Sequence, residues 1–163
     1  MVTAPIALAR EEGEHVWYDG GLITFKATGA QTAGALLFFE ALMPVGKATP
    51  LHVHPESDET LYVLEGELHV LVEASYRSVG TGAVVVVPRG TPHAFCVIAG
   101  PARLLVAFTP ASAISEAFFR QAGEPADTPT LPTSNMPMER TIAAAEQTGL
   151  KVLGPPPFGP LRA

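Results

Sequence analysis

The chain has little cysteine and no long apolar run. Its 163 residues include one cysteine, Cys96, which excludes an internal disulfide and fits a reducing compartment, so we expect a cytoplasmic protein. The longest tight apolar run, residues 83–87, is far too short to cross a bilayer. The first twelve residues lack a basic region followed by an apolar stretch, so no secretory signal is predicted. These absences predict a protein with no membrane partner.

Charge is also scarce, and its balance is acidic. Charged residues make up 16% of the chain, and 10 Lys and Arg against 16 Asp and Glu give a formal net charge of -6. No basic run or stripe is present, which argues against a nucleic-acid partner and against a polybasic membrane contact. Hydrophobic residues make up 47%, which is typical of a compact protein rather than a disordered one. At this length one domain is the simplest organisation.

The most informative stretch is 46–66, which contains His52, His54 and Glu59. Side chains of a strand alternate between its two faces, so the two histidines project to the same side. Pro55 has no N–H to donate and interrupts the strand, and the polar residues after it predict a turn. The chain then returns with Glu59, whose carboxylate can point at the two imidazoles. Two neutral imidazoles and a carboxylate form a transition-metal ligand set that leaves coordination positions open.

A second stretch, 82–97, supplies a fourth metal ligand. Its four valines predict a strand, the Pro-Arg-Gly sequence predicts a turn, and His93 begins the next strand. By alternation, His93, Phe95 and Val97 share one face of that strand. We therefore predict that His93 completes a set of three imidazoles and one carboxylate. Phe95 and Val97, with Phe38 from an earlier apolar strand, are predicted to line a substrate pocket.

Short apolar segments separated by Gly and Pro predict an all-β domain over residues 22–110, either a sandwich or a barrel. The sequence Glu65-Gly66-Glu67 is typical of a tight hairpin turn within it. Residues 1–21 are predicted to form an irregular arm with at most a short turn of helix. The expected strands, apart from the one that carries the two histidines, cover residues 22–28, 34–43, 60–64, 68–73, 76–79, 84–87, 93–98 and 103–109.

Residues 111–163 change character and are predicted to form one or two short helices and a Pro-rich tail, packed on the β-domain. The first helix, 112–121, is expected to start at Ser112 as N-cap and to bury an apolar stripe. Its stripe residues are Ile114, Ala117 and Phe118. The second helix is expected to end near residue 148, with a glycine as its C-terminal stop.

The two informative stretches resemble the signature motifs of the cupin family. The matching positions are Gly46, His52, His54, Glu59 and Gly66 in the first motif, and Gly82, Pro88, Gly90 and His93 in the second. The chain departs at Val97, where the family often has an asparagine that is not a metal ligand, so that end of the pocket becomes more apolar. The resemblance implies a single cupin jelly-roll β-barrel with one divalent transition metal ion (Fe, Mn, Ni, Co, Cu or Zn). It also implies a homodimer, in which the N-terminal arm is a reasonable exchanging element.

The C-terminal tail makes the resemblance more specific: the chain resembles single-domain bacterial cupins grouped with quercetin 2,3-dioxygenases. With the tail included, the resemblance covers roughly residues 34–157. It implies a metal-dependent dioxygenase that cleaves an oxygenated aromatic or enol substrate with O2, with Glu59 as ligand and then general base. One alternative is a non-oxidative cyclase, isomerase or decarboxylase reaction at the same residues. Another is a metal- and ligand-binding protein without turnover. A phosphosugar isomerase is disfavoured because only Lys47 and Arg89 are nearby cations.

Overall fold

Ten strands and two short helices make up the computed structural model, which describes residues 4–134 and 137–159. The helices are Ala113–Ala122 (α1) and Met138–Thr148 (α2). Strand content dominates, as the all-β prediction requires. The strands are Glu14–Tyr18 (β1), Gly21–Ala27 (β2), Leu37–Met43 (β3), Leu51–Val53 (β4), Asp58–Val72 (β5), Ser75–Gly80 (β6), Val84–Val87 (β7), His93–Thr109 (β8), Glu124–Pro125 (β9) and Lys151–Gly154 (β10).

Two long antiparallel strands, β5 and β8, pass through both sheets of the fold. Residues 58–65 of β5 pair with 103–109 of β8, and there β7 and β3 lie on the outer sides of the pair. Residues 67–72 of β5 pair with residues 93–99 of β8. In that half, β6 lies beside β5 and β4 lies beside β8. Sheet I therefore has the order β9-β1-β2-β3-β8-β5-β7, and sheet II has the order β10-β4-β8-β5-β6. The arrangement is a jelly roll, although the pairings among the described residues do not close into a ring.

The bend between the two halves of β5 lies at Gly66. Its φ is +87°, and a Cβ there would lie 2.7 Å from the Cα of Ala102 and 2.8 Å from the carbonyl oxygen of Ala99. Only glycine meets both demands without strain. The predicted hairpin at Glu65-Gly66-Glu67 is nevertheless wrong, because the chain continues in one strand through the bend. Pairing with β8 on both sides of Gly66 holds the two segments in line, and register shifts at Glu65 and Glu67 absorb the bend.

The core lies between the sheets and is formed by alternate residues of each strand. In β3, Leu37, Phe39, Ala41 and Met43 are buried, whereas the residues between them are partly exposed. Removing a side chain such as Phe39 from water contributes about 1.5–3 kcal/mol to folding. The largest fully buried side chains are Ile23, Leu37, Leu61, Leu68, Leu104 and Phe108.

The prediction of an irregular N-terminal arm is wrong for Glu14–Tyr18, which forms β1. This strand pairs with β2 on one side and with β9 on the other. Val16 and Tyr18 are buried in the core, and the Trp17 indole N–H donates to the carbonyl of Thr130 at 2.8 Å. Only two residues, Val16 and Tyr18, show the inward alternation of a strand. This pattern is too short to predict a strand unless its sheet partners are known. The arm's first residues, 1–3, lie outside the described residues.

Both predicted C-terminal helices are confirmed. The Ser112 hydroxyl accepts from the backbone N–H of Ile114 as the cap of α1, and α2 ends at Gly149 with a φ of +81°. Of the predicted stripe of α1, Phe118 is buried, whereas Ile114 and Ala117 are only partly buried. Ser115 and Ala122 complete the buried face instead. Among the residues that the structure describes, no helix has the length and hydropathy needed to cross a membrane.

Candidate metal centre

All four predicted ligands come together between the sheets. His52 lies in β4, His54 directly follows it, Glu59 is the second residue of β5, and His93 begins β8. His52 and His93 are direct partners across the β4–β8 pair. One ligand atom from each of the four residues lies within 4.8 Å of the others, and all four residues are buried.

Contacts between the two motifs explain why they converge. The backbone N–H of Gly90, in the turn before β8, donates to the carbonyl of His54 at 2.9 Å. In the same turn, the backbone N–H of Arg89 donates to the Asp58 carboxylate at 2.9 Å, and its guanidinium donates to that carboxylate at 3.0 Å. These hydrogen bonds hold the pKa of Asp58 below its usual value. The turn that precedes His93 is therefore hydrogen-bonded to His54 and to Asp58, which lie on either side of the turn between His54 and Glu59.

Two of the imidazoles are oriented by the loops that precede them. The carbonyl of Pro50 lies 2.9 Å from His52 Nδ1, and the carbonyl of Thr91 lies 2.9 Å from His93 Nδ1. A carbonyl oxygen only accepts hydrogen bonds, so Nδ1 carries the proton in both rings. The Nε2 atoms are then the ligand atoms, an arrangement typical of metal-binding histidines.

His54 is oriented by a residue that the sequence analysis missed. Its Nδ1 lies 3.3 Å from the hydroxyl oxygen of Ser115 in α1. Ser115 is only 1% exposed. The ring of His54 also packs edge-on against Phe108, with centroids 4.7 Å apart. The short sequence patterns carry no signal for Ser115, because it lies 61 residues from His54.

Glu59 and His93 form a buried hydrogen-bonded ion pair. His93 Nε2 donates to Glu59 Oε2 at 2.7 Å, and His54 Nε2 lies 3.5 Å from the same oxygen. Burial alone would raise the pKa of Glu59, but the hydrogen bond from His93 and the positive charge of that ring lower it to about 2. Burial opposes the charge of His93 as well, yet the bond to Glu59 outweighs it and raises the His93 pKa.

The other two imidazoles are held neutral. Burial lowers the pKa of His54 to about 3, and burial followed by the charge of His93 lowers the pKa of His52. The cluster therefore contains a carboxylate, two neutral imidazoles and a third imidazole whose proton points at the carboxylate. A divalent transition metal can replace that proton, and the N3O donor set is one that such ions accept. His52, His54, Glu59 and His93 thus form a potential metal site that fits the implied ion.

The cluster opens onto a cavity of about 640 Å³, a volume that includes its opening to solvent. His52, His54 and Glu59 form one end of it. The remaining lining residues are mostly apolar and come from both sheets and from the C-terminal segment: Tyr18, Ile23, Phe39, Ala41, Met43, Thr49, Pro50, Phe95, Leu104, Val106, Phe118, Phe119, Thr141, Leu150 and Val152.

Of the three predicted pocket residues, Phe95 lines this cavity and the other two do not. Phe39 takes the place predicted for Phe38, because β3 turns the opposite set of side chains inward. Val97 is fully buried in the core. At about 3.3 Å per residue it lies roughly 13 Å along the strand from His93, which carries it past the cavity.

Polar groups near the cavity are few. Lys47 forms an ion pair with Asp19, and Arg89 pairs with Asp58, so neither of the two cations considered for a phosphate lines the cavity. Tyr18 does line it, although its segment was predicted as part of the arm. Its ring contacts Phe118 edge-on at a centroid distance of 5.6 Å.

Comparison with known proteins agrees with this architecture. Residues 39–108 match the cupin domain family. Residues 39–108 of this chain therefore form a cupin domain. Over 93 residues, 56% of its length, this cupin is 33% identical to quercetin 2,3-dioxygenase of Bacillus subtilis, and the match covers 27% of that protein. The chain therefore spans about a quarter of the length of this curated relative.

Solved structures confirm the fold. KdgF from Halomonas sp. superposes with a TM-score of 0.60 at 20% identity, over 68% of this cupin and 97% of that chain. Oxalate decarboxylase of Bacillus subtilis, a protein with Mn(II) centres, superposes with a TM-score of 0.55 at 20% identity. The superposition covers 67% of this chain and 31% of that chain. The cupin fold and the ligand cluster thus occur together in this chain.

Proposed function

We propose that this cupin is a metal-dependent dioxygenase, similar to quercetinase, that cleaves an oxygenated aromatic or enol substrate with O2. The observation that carries the proposal is the position of the ligand cluster at one end of an otherwise mostly apolar cavity. The identity to a quercetin 2,3-dioxygenase over 93 residues supports it. Each part of the proposal assigns a task to residues already described.

His52, His54, Glu59 and His93 would hold the metal ion. The chemistry that a bound transition metal supplies is Lewis-acid activation of a substrate oxygen and reactivity with O2. The protein's own contribution is a buried set of three imidazoles and one carboxylate whose ligand atoms already lie within 4.8 Å of one another.

Glu59 is the proposed general base. It is ionised at neutral pH, lines the cavity, and is the one carboxylate among the cavity-lining residues of the described chain. A substrate hydroxyl or enol beside it can transfer its proton to a carboxylate oxygen. Before metal binds, the hydrogen bond that Glu59 accepts from His93 already directs its side chain at this end of the cavity.

The apolar walls select the substrate and exclude water. Phe39, Phe95 and Phe118 present aromatic surface that suits a planar, uncharged ring, and no Lys or Arg is among the described lining residues. Removing water from the cavity strengthens every polar interaction at the metal end. A phosphosugar would find no Lys or Arg for its phosphate among the described lining residues.

The test is oxygen uptake by metal-loaded protein with a panel of flavonols and related enols. We expect uptake with at least one of them, its loss in Glu59→Gln, and its retention in Glu67→Gln, which changes a carboxylate on the same strand outside the cavity. Conversion that continues without O2 would favour the non-oxidative cyclase, isomerase or decarboxylase reaction. A small molecule that is bound but never converted would favour a binding protein.

Assembly as a homodimer belongs to the same proposal. Light scattering on the purified protein tests it directly, because the expected mass is twice the 17.1 kDa of one chain. A monomeric mass would remove the dimer from the proposal and leave the metal site unchanged.

A further inference from the structure

The three imidazoles of the metal centre are not held in the same way. For His52 and His93, the partner of Nδ1 is a backbone carbonyl two residues earlier. For His54 it is the Ser115 hydroxyl, which belongs to a helix outside the cupin-matched residues 39–108. Two ligands are therefore oriented by their own loops, and the third depends on the C-terminal segment.

The chemistry of the two kinds of partner differs. A carbonyl oxygen accepts only, whereas a hydroxyl accepts or donates. When His54 Nε2 binds a metal, its Nδ1 carries the proton and must donate, so the Ser115 oxygen accepts. Without a metal the ring can take the other tautomer and the same hydroxyl can donate to Nδ1. The contact can therefore persist in both states, which a carbonyl would not allow.

The position of Ser115 in α1 connects this contact to the cavity. Phe118 and Phe119 follow it by three and four residues, so the three side chains lie on one face of the helix. Both phenylalanines line the cavity, and Ser115 is fully buried beside His54. The helix itself is fixed at its start, where the Ser112 hydroxyl caps it and donates to Glu56 at 3.0 Å.

We propose that Ser115 is a positioning residue of the metal centre, which accepts from His54 Nδ1 and directs His54 Nε2 at the ion. It acts through His54 and touches neither metal nor substrate. The proposal rests on the metal-binding part of the proposed function and not on the dioxygenase reaction. Helix α1 thereby supplies both a wall of the cavity and the orientation of one ligand.

The experiment compares Ser115→Ala with Ser112→Ala in the full chain. Both variants remove a buried serine hydroxyl from the same helix, but Ser112 contacts Glu56 and the backbone of Ile114 rather than a ligand. Affinity for Zn(II) and Co(II) is measured by competition with a chromophoric chelator, and the visible absorption spectrum of the Co(II) protein is recorded. Thermal unfolding of the metal-free proteins reports helix stability separately.

We expect Ser115→Ala to weaken affinity for both ions about tenfold and to change the Co(II) spectrum. Ser112→Ala should lower the unfolding temperature and leave affinity and spectrum as in the wild type. Equal losses of metal affinity in both variants would show that the loss comes from poorer docking of α1. Wild-type metal affinity and spectrum of Ser115→Ala would show that His54 needs no such partner. Either result overturns the inference.

The same measurements separate this inference from the proposed function. A wild-type protein that takes up neither Zn(II) nor Co(II) overturns the metal site and the role of Ser115 together. A wild-type protein that binds metal but consumes no O2 overturns the dioxygenase reaction and leaves the role of Ser115 to be decided by the two serine variants.

Discussion

The two ends of the cavity differ in origin and in chemistry. The metal end consists of His52, His54 and Glu59, which line the cavity, and of His93 beside them, all within the cupin-matched residues 39–108. The C-terminal wall, which we define as the cavity-lining residues Phe118, Phe119, Thr141, Leu150 and Val152, lies wholly outside that match. The cupin-matched part would bind the metal, while the C-terminal segment shapes the space for a ligand. Substitutions of wall residues that contact no ligand and no ligand partner should therefore leave metal affinity unchanged.

The strongest test of this separation is His93→Ala. It removes a ligand and leaves the buried Glu59 carboxylate without its donor, which should cost the metal-free protein about 3 kcal/mol of unfolding free energy. We expect metal affinity to fall by more than about 100-fold, the upper range for loss of a supporting residue. Chelator competition and thermal unfolding with and without metal provide the measurements.

The control is His69→Ala, because His69 is exposed and lies on the outer face of β5. It should behave as the wild type in both assays. If metal raised the unfolding temperature of His93→Ala as much as that of the wild type, the assignment of the metal end would be contradicted.

Leu150→Ala tests the C-terminal wall. Leu150 is 8% exposed and lines the cavity, so its truncation should lower the unfolding free energy by about 2 kcal/mol. Metal affinity should not change, because no ligand or ligand partner is touched. The matched control is Leu153→Ala, whose side chain is 53% exposed and whose loss should cost less than about 0.5 kcal/mol. A fall in metal affinity with Leu150→Ala would mean that the two ends are not separable.

The third prediction concerns pH and the metal end alone. Because the His93 pKa is raised by its bond to Glu59, a proton occupies this ligand at pH values below that raised pKa and competes with the metal. Apparent affinity should therefore fall as pH decreases, by about tenfold per pH unit for one displaced proton, and should level off above the raised pKa.

Calorimetric titration in two buffers of different ionisation enthalpy gives both the affinity and the proton released. Leu150→Ala should show the same pH dependence as the wild type. Affinity that stays constant on acidification, with no proton release, would contradict the role of the His93–Glu59 pair.

The smallest expected effect comes from Tyr18→Phe, a change in the cavity away from the ligands. Burial raises the pKa of Tyr18, so its hydroxyl stays protonated and available to a hydroxylated ligand. Its removal should weaken binding of a flavonol about fivefold, the value of one hydrogen bond of about 1 kcal/mol, with no change in metal affinity. Tyr62→Phe is the control, since Tyr62 is 42% exposed and outside the cavity. Equal flavonol affinity of wild type and Tyr18→Phe would remove Tyr18 from the binding site.

The metal end could be predicted from the sequence because its geometry is local. His52 and His54 are two residues apart on one strand, Glu59 follows a short turn, and His93 begins a strand after a Pro-Arg-Gly turn. Strand alternation and turn chemistry predict the face on which each ligand lies, and the resemblance to the two cupin motifs implies that the two stretches meet. The same reasoning gave the caps of α1 at Ser112 and of α2 at Gly149.

The cavity could not be predicted in the same way, because its residues meet through pairing over long distances. The apolar run of β3 contains Phe38 and Phe39 side by side, and only its sheet partners decide which faces inward. The sequence predicts a tight hairpin at Gly66, yet pairing with β8 on both sides turns the expected hairpin into a bend. Ser115 reaches His54 from 61 residues away, so no local pattern could reveal it.

The short strands β9 and β10 have a consequence for association between molecules. They form the outermost strands at one side of sheets I and II, and they are only two and four residues long. One contains Pro125, and the other contains Lys151 and an irregular register. Brief edges with proline, lysine or a bulge are poor templates for an approaching strand of another molecule. The segment that encloses the cavity therefore also discourages aggregation at these two edges, and strand pairing in a homodimer would use β6 or β7 instead.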